Sequence, residues 1–192
     1  NSSTGVIEET DIVTTTNALI LLQTQIATGG ASSITFGSTH LTSTYKKYII
    51  DLIDVVTSAD GGYIEFVVSE DNGATYKGGS DYNSGGMSIT TGGTTITGYA
   101  QANVGKVDIN HQGIGNALGE SLNATITMFN PAGTTKHKSF FMDITNQNSN
   151  GDTCRYAGNA SYKGTVNAIN NIKIYTNSGQ PIFGTFKLYG IL

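Results

Sequence analysis

Carboxylates are the side chains of this chain that could do chemistry first. Two of them facing each other across a cleft can hydrolyse a glycosidic bond, one as proton donor and one as nucleophile or base. Asp51, Asp54, Glu65, Glu70, Asp71, Asp81, Asp108, Glu120 and Asp143 are the candidates, and no spacing among them selects a pair. His40, His111 and His137 stand far apart and form no H-x-x-x-H or C-x-x-C ligand pair, so no metal site is read from them. The single cysteine, Cys154, has Arg155 beside it but no neighbouring histidine. It reads as a small side chain in a strand or loop, and it excludes an intrachain disulfide. No catalytic residue, metal or cofactor is expected, and the chain reads as non-enzymatic.

Two patterns point to structure and binding instead. Ser69-x-Asp71-x-Gly73-x-Thr75-Tyr76 matches the Asp-box pattern of sialidases. That motif is a structural turn in which the Ser and Asp side chains satisfy turn amides and the aromatic packs beneath, so Ser69, Asp71, Gly73 and Tyr76 are assigned to it. Gly73 would supply a positive φ. The run lacks the alternating oxygen ligands and closing Glu of a calcium loop. Ten tyrosines, seven phenylalanines and no tryptophan place most aromatic surface in residues with a polar tip. Tyr76, Tyr82, Tyr99, Tyr156 and Tyr162 stand in or beside polar stretches and are the candidate ligand- or receptor-binding residues, because rigid amphipathic rings stack on sugars or anchor protein interfaces. The alternative is that they lid the end of a sandwich. Tyr48, Tyr175 and Tyr189 read as core or sheet-face residues.

The elements that must hold these residues are strands. Ile64, Phe66 and Val68 alternate with Tyr63, Glu65 and Ser69, the apolar residues of Leu122 to Met128 and Phe140 to Ile144 alternate with polar ones, and so do Phe186 and Leu188. Such a period of two buries one face of a strand and wets the other. Tyr45 to Val56 is apolar on both faces apart from its charged positions, which predicts a central strand. Leu19 to Ile26 fits a short helix capped by Asn17 or, with more weight, a strand turning at Thr28-Gly29-Gly30-Ala31 and returning through Ile34-Thr35-Phe36. Asp60-Gly61-Gly62, Asp71-Asn72-Gly73, Thr91-Gly92-Gly93, Asn130-Pro131-Ala132-Gly133 and Asn177-Ser178-Gly179 are turns expected to join neighbouring antiparallel strands. Residues 78–119 are Gly-rich and weakly patterned, with Met87–Ile89 and Thr94–Ile96 as short strand candidates, and read as long loops.

Composition agrees and excludes other classes. A chain of 192 residues with 12% charged residues and 25 glycines is one domain of ordinary size, poor in helix formers. The fold class is therefore all-β: an antiparallel, jelly-roll-like β-sandwich over residues 18–192, preceded by a Thr- and Ser-rich arm or linker over residues 1–17. A net charge of −4 without a basic block speaks against nucleic acid. No apolar run approaches the ~20 residues that span a bilayer, so no membrane insertion is expected. The two-sided strand at Tyr45 to Val56 needs more cover than one small core supplies, which predicts a symmetric homotrimer.

Three blocks in order carry a resemblance: Tyr45-Lys46-Lys47-Tyr48, then Ser69 to Tyr76, then Ala168 to Tyr175 with the closing Ser178 to Ile191, which ends Gly184-Thr185-Phe186-Lys187-Leu188-Tyr189-Gly190-Ile191. Together they resemble a bacteriophage virion domain, the β-sandwich module of tail-fibre and related tail proteins of tailed phages, from about Leu19 to Leu192. The resemblance implies a non-enzymatic virion part, often trimeric. Its partners would be itself, other virion proteins and a host-surface glycan bound through loops. The alternative within it is a head decoration or cement protein gripping the capsid with residues 1–17.

Overall fold

The computed structural model describes residues 18–192, and the arm expected over residues 1–17 lies outside them. Among the described residues twelve strands and no helix are present. In chain order they are β1 (Leu19–Ala31), β2 (Ser33–Phe36), β3 (Lys47–Thr57), β4 (Ile64–Ser69), β5 (Tyr82–Thr90) and β6 (Thr97–Val104). There follow β7 (Val107–Asp108), β8 (Leu122–Phe129), β9 (Lys138–Gln147), β10 (Thr153–Tyr162), β11 (Asn171–Thr176) and β12 (Ile182–Ile191). They build two antiparallel sheets, one of eight strands in the order β1-β12-β3-β8-β9-β10-β5-β6 and one of four in the order β2-β11-β4-β7. The all-β, two-sheet arrangement is the one expected; the strand order does not establish jelly-roll connectivity.

Alternation does its work in β9, where Lys138, Phe140, Met142, Ile144 and Asn146 are buried and the residues between them are exposed or half-buried. The buried rows of both sheets meet in one core, with Phe66 of the small sheet against Phe140 of the large one at 4.9 Å between ring centroids. As expected, β3 is central, between β12 and β8, and Leu19 to Ile26 is strand.

All five assigned turns fall between strands, and two of them close hairpins. Thr91-Gly92-Gly93 closes the β5–β6 hairpin and Asn130 to Gly133 the β8–β9 hairpin. The other assigned turns correct the expectation, because each carries the chain from one sheet to the other. The Asp60-Gly61-Gly62 turn leads from β3 to β4, the Asp71-Asn72-Gly73 turn from β4 towards β5, and Asn177-Ser178-Gly179 from β11 to β12. The hairpin expected at Thr28 to Ala31 is likewise absent: β1 pairs with β12 and β2 with β11. Its Gly-Gly pair instead lies in a register shift within β1, between Ala27 and Ala31.

Residues 78–119 need the largest correction. They contain β5 and β6, which extend the large sheet by two full strands, while Thr94–Ile96 lies in the connection between them. Their alternation was hidden because inward positions hold Ser84, Gly86, Ser88 and Gln101, while Met87 and Ile89 are apolar on the exposed row.

Irregularities line up across one corner of the large sheet. β1 shifts register after Ala27, β12 between Phe183 and Thr185, and β3 between Leu52 and Val55, at neighbouring levels of three adjacent strands. Gly184 has φ +129, and a Cβ there would come 2.9 Å from the Val55 backbone, so the close approach of β12 to β3 requires glycine. Asp54 takes φ 51, and its N–H donates to Asn123 Oδ1 at 3.0 Å. Bulges of this kind bend a sheet and re-aim side chains. Here they sit beside the groove described below.

Candidate functional site

The Ser69–Tyr76 turn has the geometry its sequence demands. Ser69 Oγ accepts from the amides of Asp71 (3.2 Å) and Gly73 (3.0 Å), and Asp71 Oδ1 accepts from the Thr75 amide at 2.8 Å and from Ser69 Oγ at 2.6 Å. The Ser69 hydroxyl and then the Thr75 amide hold the Asp71 carboxyl below its usual range. Gly73 has φ +86, and a Cβ on it would meet Asn171 Nδ2 at 3.0 Å. The half-buried Tyr76 donates to Asn171 Oδ1 (3.0 Å), and Lys173 Nζ lies 4.2 Å from its ring centroid. All of these groups are committed to one another.

Four of the five tyrosines expected in binding loops are in strands, and three of these are core; Tyr76 remains in its turn. Tyr82 opens β5, Tyr156 and Tyr162 lie in β10, and all are at most 2% exposed; Tyr99, in β6, is half-buried. The loop assignment of these four is corrected. The flanking Gly, Asn and Ser residues that looked like loop are the outward row of the same strands. The Tyr82 and Tyr162 rings pack at 5.4 Å, and their hydroxyls reach the start of the Ser69–Tyr76 turn. Tyr82 accepts from the Val68 amide at 2.9 Å, and Tyr162 donates to Glu70 Oε1 at 2.7 Å. Burial raises the hydroxyl pKa of both, and the bond to Glu70 raises that of Tyr162 further. Burial works against the Glu70 charge too, but hydrogen bonds from Thr165, Lys77, Tyr162 and Asn167 outweigh it and bring the carboxyl down to about 2. These rings join the large sheet to the turn.

A polar cluster that the sequence did not single out lies under β5 and β6. Ser88 Oγ and His111 Nδ1 are 2.9 Å apart, the Tyr99 ring lies 4.4 Å from the His111 ring, and the Tyr99 hydroxyl donates to Asp108 Oδ2 at 2.5 Å. A serine–histidine pair is the start of a nucleophilic site, yet among the described residues no carboxylate bonds the imidazole, and Asp108 is taken by Tyr99. Ser88 is 4% exposed. The cluster fastens the β5–β6 edge to β7. Next to it Glu65, on β4, pairs with Lys106; burial raises the Glu65 carboxyl pKa, and Lys106 opposes that rise. Among the described residues no group of three or more His, Cys, Asp or Glu could hold a metal ion.

The open surface is the outer face of the large sheet. One row crosses all eight strands in register: Leu21, Tyr189, Ile49, Thr127, Phe141, Asn159, Gly85 and Ala100. At its β1 end Leu19 and Leu21 are exposed, and near its middle the Phe141 ring stands 58% exposed, its neighbour Phe129 edge-on at 5.2 Å. Seven strand spacings make this face roughly 34 Å wide. Two depressions share it. A groove of about 630 Å³ beside the β3 bulge is lined by Asp51, Ile53, Asn123, Thr125, Asp143 and Arg155, with Arg155 donating to both Asp143 oxygens at 2.8 and 3.0 Å. A trough of about 320 Å³ lies along the other side of Phe141, over β9, β10 and β5.

Asp51 and Asp143 thus share a face, two strands apart across Thr125, a juxtaposition no sequence spacing could reveal. Strand spacing sets their backbones ~10 Å apart, and Asp143 is spent on Arg155, so the pair lacks the free acid that glycoside hydrolysis needs. His40, His111 and His137 do not converge: His111 is with Ser88, and His137 is exposed in the β8–β9 turn. Cys154 is buried in β10, as its small, apolar character suggested. Phe141 escaped the sequence reading because its alternation with Phe140 marked a strand, and alternation does not say that a wet-face residue is aromatic for a reason. No family model, curated protein or solved structure matches this chain.

Proposed function

We propose that the protein is a non-enzymatic virion module of a tailed phage, as its sequence resemblance implies, and that it binds the host surface over the outer face of its eight-stranded sheet. The observation that carries the reading is Phe141, an aromatic residue 58% exposed in the middle of a broad face whose inward tyrosines are all committed to the fold. Aromatic anchors at the centre of a patch are the usual source of binding energy. The candidate tyrosines fit that role less well, since Tyr82, Tyr156 and Tyr162 are buried and the half-buried Tyr76 and Tyr99 are hydrogen-bonded to Asn171 and Asp108. Competition tests the reading: excess purified protein should block adsorption of the phage that carries it, and particles saturated with antibody to the chain should fail to attach. Undiminished adsorption in both assays rejects it.

A second reading has its own observation. Leu19, Leu21 and Ile26 are exposed on the edge strand β1, which follows directly on residues 1–17. Exposed apolar residues on a strand edge that pairs with no other described strand fit subunit contact, whether in a homotrimer or against a capsid. Cryo-electron microscopy of the particles separates the readings. A few trimers on the tail mean attachment; hundreds of copies on the head mean decoration.

A further inference from the structure

We propose that the trough beside Phe141 is a binding site for an uncharged saccharide, a proposal that rests on the host-surface reading above and names its ligand. The trough is lined by Asn83, Gly85, Ser139, Phe141, Asn159 and Ser161, and none of these carries a charge. Its volume of about 320 Å³ is at the small end of ligand sites and suits one or two sugar rings.

Each part of the lining matches a part of a pyranose. Sugars present an apolar C–H face and a polar rim, so they need an aromatic platform with amides and hydroxyls around it. Phe141 is the platform. Its ring is steadied by the edge of Phe129 on the β8 side, and the trough opens on the opposite side, towards β10 and β5. Asn159 stands directly across from Phe141, and Gly85 directly across from Asn159. Gly85 offers no side chain to fill the depression, so the floor beside the ring stays low. The rim groups are unspent: Ser139, Asn159 and Ser161 make no side-chain hydrogen bond among the described residues, and Asn83 uses only its Oδ1, accepting from the Asn103 amide at 2.9 Å. An exposed aromatic ringed by idle amide and hydroxyl groups is redundant for folding and complementary to a polyol.

Charge selects among saccharides. An acidic sugar or a phosphorylated glycan needs a free cation, and no Lys or Arg lines the trough. The cations around it are engaged: Lys163 donates to Asn103 Oδ1 at 2.8 Å, Lys47 lies over the Phe129 ring, and Arg155 lines the other groove, held bidentate by Asp143. Neutral hexoses and N-acetylhexosamines are the class that fits.

The test is an array of immobilised neutral oligosaccharides of glucose, galactose, mannose and N-acetylglucosamine, with sialylated and phosphorylated oligosaccharides alongside. Wild type should bind at least one neutral member. Phe141→Ala should weaken that binding tenfold or more and Asn159→Ala several-fold, both with unchanged melting temperature. Arg155→Ala, outside the trough, should bind as wild type does. Binding that survives Phe141→Ala, or that requires an acidic sugar, overturns the trough as the site while leaving attachment to the host intact. Wild type that binds no array member yet still blocks phage adsorption overturns the saccharide and leaves the host-surface reading standing. Failure in both assays overturns both.

Discussion

Strands β9, β10 and β5 turn two different chemistries to their two faces. Inward they place Tyr82, Tyr156, Tyr162 and Phe140, all buried, with Tyr82 and Tyr162 hydrogen-bonded to the β4 end of the small sheet. Outward they place Phe141 among Asn, Ser and Gly, with Asp143 and Arg155 further along. An aromatic residue therefore means something different on each face of the same strand. On the inner face its area and its hydroxyl serve the fold. On the outer face neither is used by the fold, and that surplus is what a binding surface is made of.

Truncation should separate the faces most sharply. Tyr162→Ala removes a fully buried ring and leaves Glu70 without one of its donors, and should destabilise by ~3–5 kcal/mol. Phe141→Ala removes a mostly wet ring and should cost under ~1 kcal/mol. Urea unfolding of the purified protein measures both. Equal losses would break the comparison and show that the outer face is buried in an assembly.

Glycine supplies the next contrast. A Cβ at Gly158 would lie 2.5 to 2.6 Å from the Tyr156 ring and hydroxyl, so Gly158→Ala should cost ~1–3 kcal/mol through overpacking. Gly98, across from Met87 on the outward side, has nothing within 4 Å. Gly98→Ala should be neutral or stabilise by up to ~1 kcal/mol, through the lower entropy of the unfolded chain. Thermal melts of the two variants should move in opposite directions.

These contrasts show what the sequence could and could not convey. Alternation in Leu122 to Met128 and Phe140 to Ile144 announced strands because large apolar and polar residues took turns. It reports a face, not a partner, so the turns at Gly62, Gly73 and Gly179 were placed while the sheet change at each was not. In β5 and β6 the signal failed, since Ser84, Gly86, Ser88 and Gln101 leave no apolar mark on the inward row. Flanking Gly, Asn and Ser residues made Tyr82, Tyr99, Tyr156 and Tyr162 look like loop. Ser69, Asp71, Gly73 and Tyr76 were legible because their spacing is local; the trough was not, because its residues come from three strands brought together by register alone.

Acid should act on the inner face. The Glu70 carboxyl sits at about 2 in the folded protein, below the ordinary glutamate value, so the stability it contributes is present above pH ~4.5 and is lost as pH falls towards 2. The loss should be of order ~1–2 kcal/mol and absent from Glu70→Gln, so the difference between the two stability-versus-pH curves isolates it. Glu65 is shifted the other way, upwards by burial, and cancels in that difference. The outward counterpart is Asp143 with Arg155, both more than 60% exposed, and Asp143→Asn should cost well under ~1 kcal/mol. Parallel curves for wild type and Glu70→Gln would mean that the tyrosine-to-turn junction is not held by charge.

The smallest effect concerns one hydroxyl. Tyr156 is 2% exposed, and burial pushes its pKa up to about 12. Unlike the hydroxyls of Tyr82 and Tyr162, the Tyr156 hydroxyl has no hydrogen-bond partner among the described residues, nor have Ser84 Oγ and Gln101 Oε1. They share the inward face of three adjacent strands: the Tyr156 ring lies along Gly158, the next inward position is Ala160, and Ala160 pairs with Ser84, which pairs with Gln101. A buried hydroxyl without a partner costs about as much as a hydrogen bond returns. Tyr156→Phe should therefore leave stability unchanged or raise it by up to ~1 kcal/mol, measured by urea unfolding against Tyr162→Phe, which should lower it. A loss of ~1 kcal/mol or more in Tyr156→Phe would show that the hydroxyl is satisfied, as a buried water would satisfy it. The buried tyrosine hydroxyls of β5 and β10 would then all be hydrogen-bonded, and the contrast with the unspent groups around Phe141 would be sharper still.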